Sequence, residues 1–370
     1  MPIAYKSNWE ETRQRYAAWF NRDYTDRPIF TLYRQRETPL HAPLTEEPFR
    51  DAEDRYTNAD KNFAHLSNVY AQYEPVAEAF PQFSMNLGAG SMALYLGSQP
   101  VYADDTLWYT PVIEDYAQAL PLRYDPENPM WKRHLAIIDR QLELVKDTDM
   151  RVCIPDIIEN IDILAALRGP QETCFDLYDY YDEVKRALGD IADVYMRYYD
   201  TIYERVKGDD GFCAYTAFNL LGPGKTAKIQ CDFAALLSPA HFDDLILPSL
   251  RRQCREIPNT LFHLDGPECL VHVDSLMTID ELDALQWTPG ARNPGAGDEC
   301  WFGLYEKVFK AGKGLWLDFW DLPPDEALQA ADHLVHVFGP KGFFFQFQYM
   351  DAASADRILH TAETAWRISG

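Results

Sequence analysis

The sequence predicts an α/β protein, a single (β/α)8 TIM barrel with an N-terminal helix and long insertions after strands 2 and 4. Three observations lead there. Eight short β-prone runs alternate with helical stretches along 370 residues, the rhythm of βα units around a parallel sheet. No GxGxxG turn follows an early strand, which disfavours an open doubly wound sheet built on a dinucleotide turn. Polar side chains cluster at the ends of the apolar runs, where a barrel of this kind gathers its pocket.

In chain order, the polar stretch Trp9–Asn21 reads as a helix that plugs the amino-terminal mouth. The predicted strands are Ile29–Tyr33, Gln82–Asn86, Arg151–Pro155, Phe212–Thr216, Leu261–Leu264, Ala284–Trp287, Leu315–Phe319 and Gly342–Phe347. Between them, Val184, Leu188, Ile191, Tyr195, Tyr198, Ile202 and Val206 fall three or four apart, which predicts a helix from about Asp176 to Lys207. Ser238-Pro239 pairs an N-cap serine with a first-turn proline and opens a helix through Cys254. Pro323-Pro324-Asp325 opens another towards Val337, and Ala352–Ile368 closes the chain. The longer stretches Gly88–Met150 and Leu220–Pro239 read as pocket-forming insertions. No repeat or linker divides the chain, so residues 1–370 read as one domain.

The composition narrows the partners. With 47% hydrophobic residues the chain has ample core material, yet no run approaches the roughly 20 apolar residues of a membrane span. A formal charge of −24 repels nucleic-acid backbones and anionic membranes, so a small-molecule substrate is the expected partner. The start, Met1–Tyr16, lacks the basic-then-apolar order of an export signal. Seven cysteines, scattered and without a CxxC pair, suit reduced thiols in a cytoplasmic protein.

Read at the strand ends, Asn86, Asp156, Asn219, Gln286, Trp287, Asp318, Gln346 and Gln348 are the candidate substrate-binding residues. The sharpest local signal is His263-Leu264-Asp265-Gly266-Pro267. Strand alternation puts His263 and Asp265 on one side, as an acid–base pair or as two metal ligands. The alternative is a loop histidine beside a helix-capping aspartate. Asp156, Glu159 and Asp162 follow the third strand, and Glu159 joins His263 and Asp265 as a candidate catalytic group, since either aspartate can cap the next helix. Gly222-Pro223-Gly224-Lys225-Thr226 lacks the first glycine of a phosphate-binding loop, where Asn219 stands instead. Cys231 reads as a buried thiol and His272 as structural.

Several stretches carry a family resemblance. Gly88-Ala89-Gly90 through Leu96-Gly97, Thr106-Leu107-Trp108, Ile163 through Gly169, Leu237-Ser238-Pro239 through Leu247-Pro248, His263-Leu264-Asp265-Gly266, Leu285-Gln286-Trp287 with Pro289-Gly290, and Gly312-Lys313-Gly314 stand in the family's order. On these the chain resembles the uroporphyrinogen decarboxylase-like superfamily, which includes corrinoid-dependent methyltransferases. The resemblance implies a barrel, methyl transfer with a separate corrinoid protein as partner, and a homodimer. Family methyltransferases hold zinc with a His-x-Cys pair and a later cysteine. Here Asp265 replaces the cysteine, and Gln346 and Gln348 stand where the later one is sought, a set that favours a harder metal or none. Porphyrinogen decarboxylation fits less well, because Arg34 and Arg36 are the only arginines offered for its many carboxylates. Acid–base chemistry on a sugar, with Trp287, Trp316 or Trp320 as stacking surfaces, is the alternative drawn from the residues themselves. A non-catalytic binding protein is the third.

Overall fold

A computed structural model describes residues 2–23 and 26–367. The strands are β1 (Ile29–Gln35), β2 (Tyr73–Ala77), β3 (Gln82–Phe83), β4 (Pro100–Tyr102), β5 (Leu107–Tyr109), β6 (Arg151–Val152) and β7 (Phe212–Tyr215). They continue with β8 (Leu220–Pro223), β9 (Thr226–Gln230), β10 (Asn259–Asp265), β11 (Ala284–Thr288), β12 (Gly314–Asp318) and β13 (Phe343–Met350). A seven-stranded, mainly parallel sheet runs β2-β1-β13-β12-β11-β10-β9, with only the β1–β2 pair antiparallel. A second arc is made of short pieces. β3 pairs with β6 in parallel, Ile154 bridges to Tyr215, and β7 pairs with β8 as a hairpin.

The ladders depart from the expected eight strands in two ways. The place beside β10 belongs to β9, which the sequence reading leaves inside the second insertion. Phe212–Tyr215 instead turns back on itself, because Phe218 and Asn219 adopt φ of +61° and +53° and fold the chain into the β7–β8 hairpin. β3 and β6 are also cut to two residues each. Pro155 has no N–H to continue β6, and the Asn86 side chain draws the chain after β3 into a turn by accepting from the Gly88 N–H (2.7 Å). Among the described residues the hydrogen-bonded ladder therefore ends at β2 and β9.

The helices that matter below are α1 (Trp9–Phe20), α2 (Pro129–Leu144), α3 (Asn160–Arg168), α4 (Tyr181–Val206), α5 (Leu247–Glu256), α6 (Phe302–Lys310), α7 (Pro324–Phe338) and α8 (Ala352–Thr364). α1 lies under the starts of the last strands. Its Trp19 Nε1 donates to the Gly342 carbonyl (3.1 Å), and its ring sits where a Cβ on Gly314 would collide at 2.9 Å. Beside it, Arg27 forks onto the fully buried Glu78 (both bonds 3.0 Å), which also accepts from the Phe30 N–H. α4 begins later than its apolar stripe predicts, since Tyr180 leaves the helical region and separates it from Pro170–Asp179. The run from Pro239 widens to a π-turn at Phe242–Ile246 before α5. Pro248 explains this, because its ring would clash with the carbonyl four residues back in a regular helix. α8 stops at Thr364, and the predicted end at Ile368 lies outside the described residues.

The buried apolar residues form one cluster that runs through the sheet and the helices around it. No helix among the described residues is long and apolar enough to cross a membrane. In the first insertion, Asn128 starts α2 by accepting from the Met130 and Trp131 N–H groups (2.9 and 3.0 Å). Asn128→Ala is expected to lower stability by about 1 kcal/mol in urea unfolding; an unchanged midpoint would show that the cap is redundant.

Candidate functional site

The carboxyl ends of β9, β10 and β11 gather a polar cluster. Lys228 is an inward residue of β9, buried between Ala227 and Ile229, and its Nζ pairs with Asp156 Oδ1 at 2.8 Å and donates to Gln230 Oε1. Tyr215 also donates to Asp156 (3.1 Å). Gln230 Nε2 in turn donates to Asp232 (2.6 Å), so one buried lysine sets the order of three acceptor groups. Asp162 accepts the backbone N–H groups of Asp232 and Phe233 (2.9 and 2.8 Å), which holds the chain after β9 against α3. Burial, and next the charge of Asp232, push Asp162 up to about 6.

Asp232, His263 and Asp265 bring one ligand atom each within 4.8 Å of one another. His263 and Asp265 do so because both stand on one side of β10, as alternation requires. His263 Nδ1–H donates to Gln286 Oε1, across the parallel register of β10 and β11, and Gln286 is itself held by a bond to Thr288 Oγ1 (2.8 Å). That fixes the tautomer and leaves Nε2 as the ring nitrogen free to accept a proton or a cation. Burial first, and the charge of Lys228 second, keep the imidazole below its ordinary pKa and therefore neutral at pH 7. Two carboxylates and one neutral imidazole are a fitting donor set for a divalent cation that prefers oxygen and nitrogen. The third candidate ligand, Asp232, comes from the stretch after β9 and not from the last strand, where Gln346 and Gln348 stand.

Phe218 connects this cluster to a cavity of about 380 Å³. Its ring packs on His263 (5.2 Å between centroids) and on Trp316 (4.9 Å), and it lines the cavity with Asn219 and Gln346. Two successive non-glycine residues at positive φ are strained by roughly 1–3 kcal/mol each. Tyr16 and Trp316 hold them by donating to the Asn219 and Phe218 carbonyls. The Asn219 amide is engaged through both its oxygen and its nitrogen. It accepts from Tyr33 (3.2 Å) and Gln82, and donates to Gln346 Oε1 (2.5 Å).

Not every residue read from strand ends arrives here. Glu159 is buried on the outer side, where it meets Ser249 and Arg252 of α5, and none of the charges acting on it belongs to the His263 cluster. Trp287 alternates outward from Gln286 and packs in the core against Trp301, one residue before α6. Trp316 is also buried, which leaves Trp320 as the tryptophan that lines the cavity. Asp318 caps a turn by accepting the Trp320 N–H (2.8 Å), and Gln348 donates to the Leu322 carbonyl (2.6 Å). Asn86 lines a smaller adjoining space of about 210 Å³. Arg34 and Arg36 turn away, onto Asp356 and the Tyr5 carbonyl. Lys225 pairs with Asp200 (2.7 Å) in the bend between β8 and β9. Cys231 is a buried thiol, and His272 is buried with Nε2 on the Ala234 carbonyl (3.0 Å).

The sequence reading missed Asp232, Lys228 and Gln230. A lysine inside the alternating run Thr226–Gln230 was the available signal, since a cation between two apolar neighbours in a strand has to find a buried partner.

No protein-family model matches the chain, and no curated protein matches it in sequence. Among solved structures it is similar to a methyltransferase from Methanosarcina mazei, at a TM-score of 0.58 and 12% identity, over 95% of this chain and 98% of that one. At that identity the likeness is one of architecture: the chain has a methyltransferase-like α/β fold.

Proposed function

We propose that this chain is a methyltransferase assisted by a divalent cation bound to Asp232, His263 and Asp265, and that its two strand arcs close into one barrel domain. The observation that carries this reading is the convergence of those three ligand atoms within 4.8 Å, with His263 already oriented by Gln286. The fold likeness supports the reaction class, and its extent over 95% of the chain supports a single domain. Asp232, His263 and Asp265 would hold the cation, which would supply Lewis-acid activation of an acceptor or leaving oxygen. The protein's own groups do the positioning. Gln286 holds the imidazole, Gln230 holds Asp232, and Lys228 balances the charge of Asp156 beside them.

Free methylcobalamin, a thiol or alcohol acceptor, and purified protein loaded in turn with Zn²⁺, Mn²⁺ or Fe²⁺ make the direct test. The expected result is stoichiometric metal by elemental analysis and metal-dependent loss of the methylcobalamin absorbance. Metal-independent protein with no demethylation in any combination would sink the reading. Demethylation that needs an added corrinoid protein would identify that protein as the partner.

A further inference from the structure

The cavity beside the cluster carries a lining unlike the rest of so acidic a chain. No aspartate, glutamate, lysine or arginine lines it among the described residues. His65, at its edge, is already engaged by Glu46 (3.0 Å). A carboxylated, phosphorylated or ammonium ligand would leave water there without a counter-charge, a cost of several kcal/mol for an ion.

What the cavity does offer is neutral and of two kinds. Trp320 stands perpendicular to Tyr349 (89°, 5.5 Å), and Tyr349 stacks on Tyr33 (19°, 4.4 Å), which makes an aromatic corner. Against it stand polar atoms that have no hydrogen-bond partner among the described residues: Gln346 Nε2, Tyr349 OH, Trp320 Nε1 and Ser84 Oγ. The Asn219 amide donates to Gln346 Oε1 and fixes that side chain in place, so its open Nε2 donor is preset. Flat apolar faces with several neutral donors and acceptors suit a ring whose faces are C–H and whose rim is hydroxyl. The volume, about 380 Å³, is at the small end of organic-ligand sites.

We propose that this cavity binds a neutral polyhydroxylated ring, a monosaccharide or cyclitol, with one face on the Trp320–Tyr349 corner and hydroxyls on Gln346, Tyr349 and Ser84. The proposal does not rest on the metal reading, since none of Asp232, His263 and Asp265 lines the cavity.

Saturation-transfer NMR and calorimetry with glucose, galactose, mannose and myo-inositol test it, with glucuronate, glucose 6-phosphate and tetramethylammonium as charged counterparts. Wild type is expected to bind at least one neutral ring saturably, with a Kd of millimolar or below, and to bind the charged counterparts at least tenfold more weakly. Gln346→Ala and Trp320→Ala are expected to weaken binding about tenfold or more, and Trp320→Phe to restore part of it. Arg34→Ala, whose guanidinium pairs with Asp356 away from the cavity, is expected to leave the Kd unchanged, as is treatment of the wild type with a chelator. Circular dichroism and the thermal midpoint check that each variant folds. Binding of no neutral ring, preference for a charged counterpart, or neutral-ring binding untouched by both cavity variants would overturn the proposal. Metal-dependent demethylation alongside any of these results would leave the methyltransferase reading standing and remove only the sugar site.

Discussion

His263→Ala is expected to remove the bound cation and to lower turnover by at least 10²–10³-fold, while the unfolding midpoint stays close to that of wild type. Asp232→Ala should do the same. The two residues arrive from different strands, so their shared phenotype would report a shared ion and not a local defect. His263 is only partly buried, its one side-chain hydrogen bond among the described residues is to Gln286, and its ring contact is with Phe218, which Trp316 also holds, so truncation leaves the fold standing. Gln286→Leu is the graded control. It keeps the imidazole but frees its tautomer and ring orientation, for which a 10–100-fold loss in metal affinity is the expected scale. The measurement is metal content after dialysis against a range of chelator concentrations, followed by turnover with metal added back. Retention of stoichiometric metal by both His263→Ala and Asp232→Ala would place the ion elsewhere. A large loss of stability in His263→Ala with turnover intact would make the histidine a structural residue under Phe218.

How much of this was legible in the sequence follows from what each signal depends on. β10 to β13 were readable because a buried parallel strand is a short apolar run, and Phe343–Phe347 or Leu315–Leu317 have no other plausible setting. The pairing of His263 with Asp265 was readable because alternation is local. Asp232 was not, because the role of Thr226–Gln230 as a sheet strand depends on Phe218 and Asn219 taking positive φ, and no local rule favours that at a phenylalanine. Once the hairpin turns there, β9 takes the place beside β10 and carries Asp232 to the mouth of the site. Gln286 and Trp287 show the converse limit. Both end the same strand, yet period-two alternation sends one to His263 and the other to Trp301. Whether a strand end faces inward was decidable only from the register with its neighbours.

Glu159→Gln is expected to stabilise the protein strongly at pH 8 and by only about 1 kcal/mol at pH 5. The side chain is buried, its Oε1 has no partner, and burial pushes its pKa up to about 8, with only Ser249 and Arg252 acting in the other direction. In the unfolded chain the same carboxyl titrates near 4.3. Between about pH 4.3 and pH 8 the folded state therefore holds a proton that the unfolded state has released. Stability contributed by this group is then intact below the unfolded pKa and falls as pH rises, by about 1.4 kcal/mol per unit, until the folded pKa is passed. Summed to pH 7 the cost to wild type is on the order of 4 kcal/mol, which a neutral amide of the same shape does not bear. Urea unfolding of wild type and variant at pH 5, 6.5 and 8 isolates the effect, because every other titrating group is common to both. The difference should open steadily with pH. Parallel curves would mean that Glu159 is ionised in the fold, and a wild type that gains on the variant as pH rises would mean that a cation reaches it between α4 and α5.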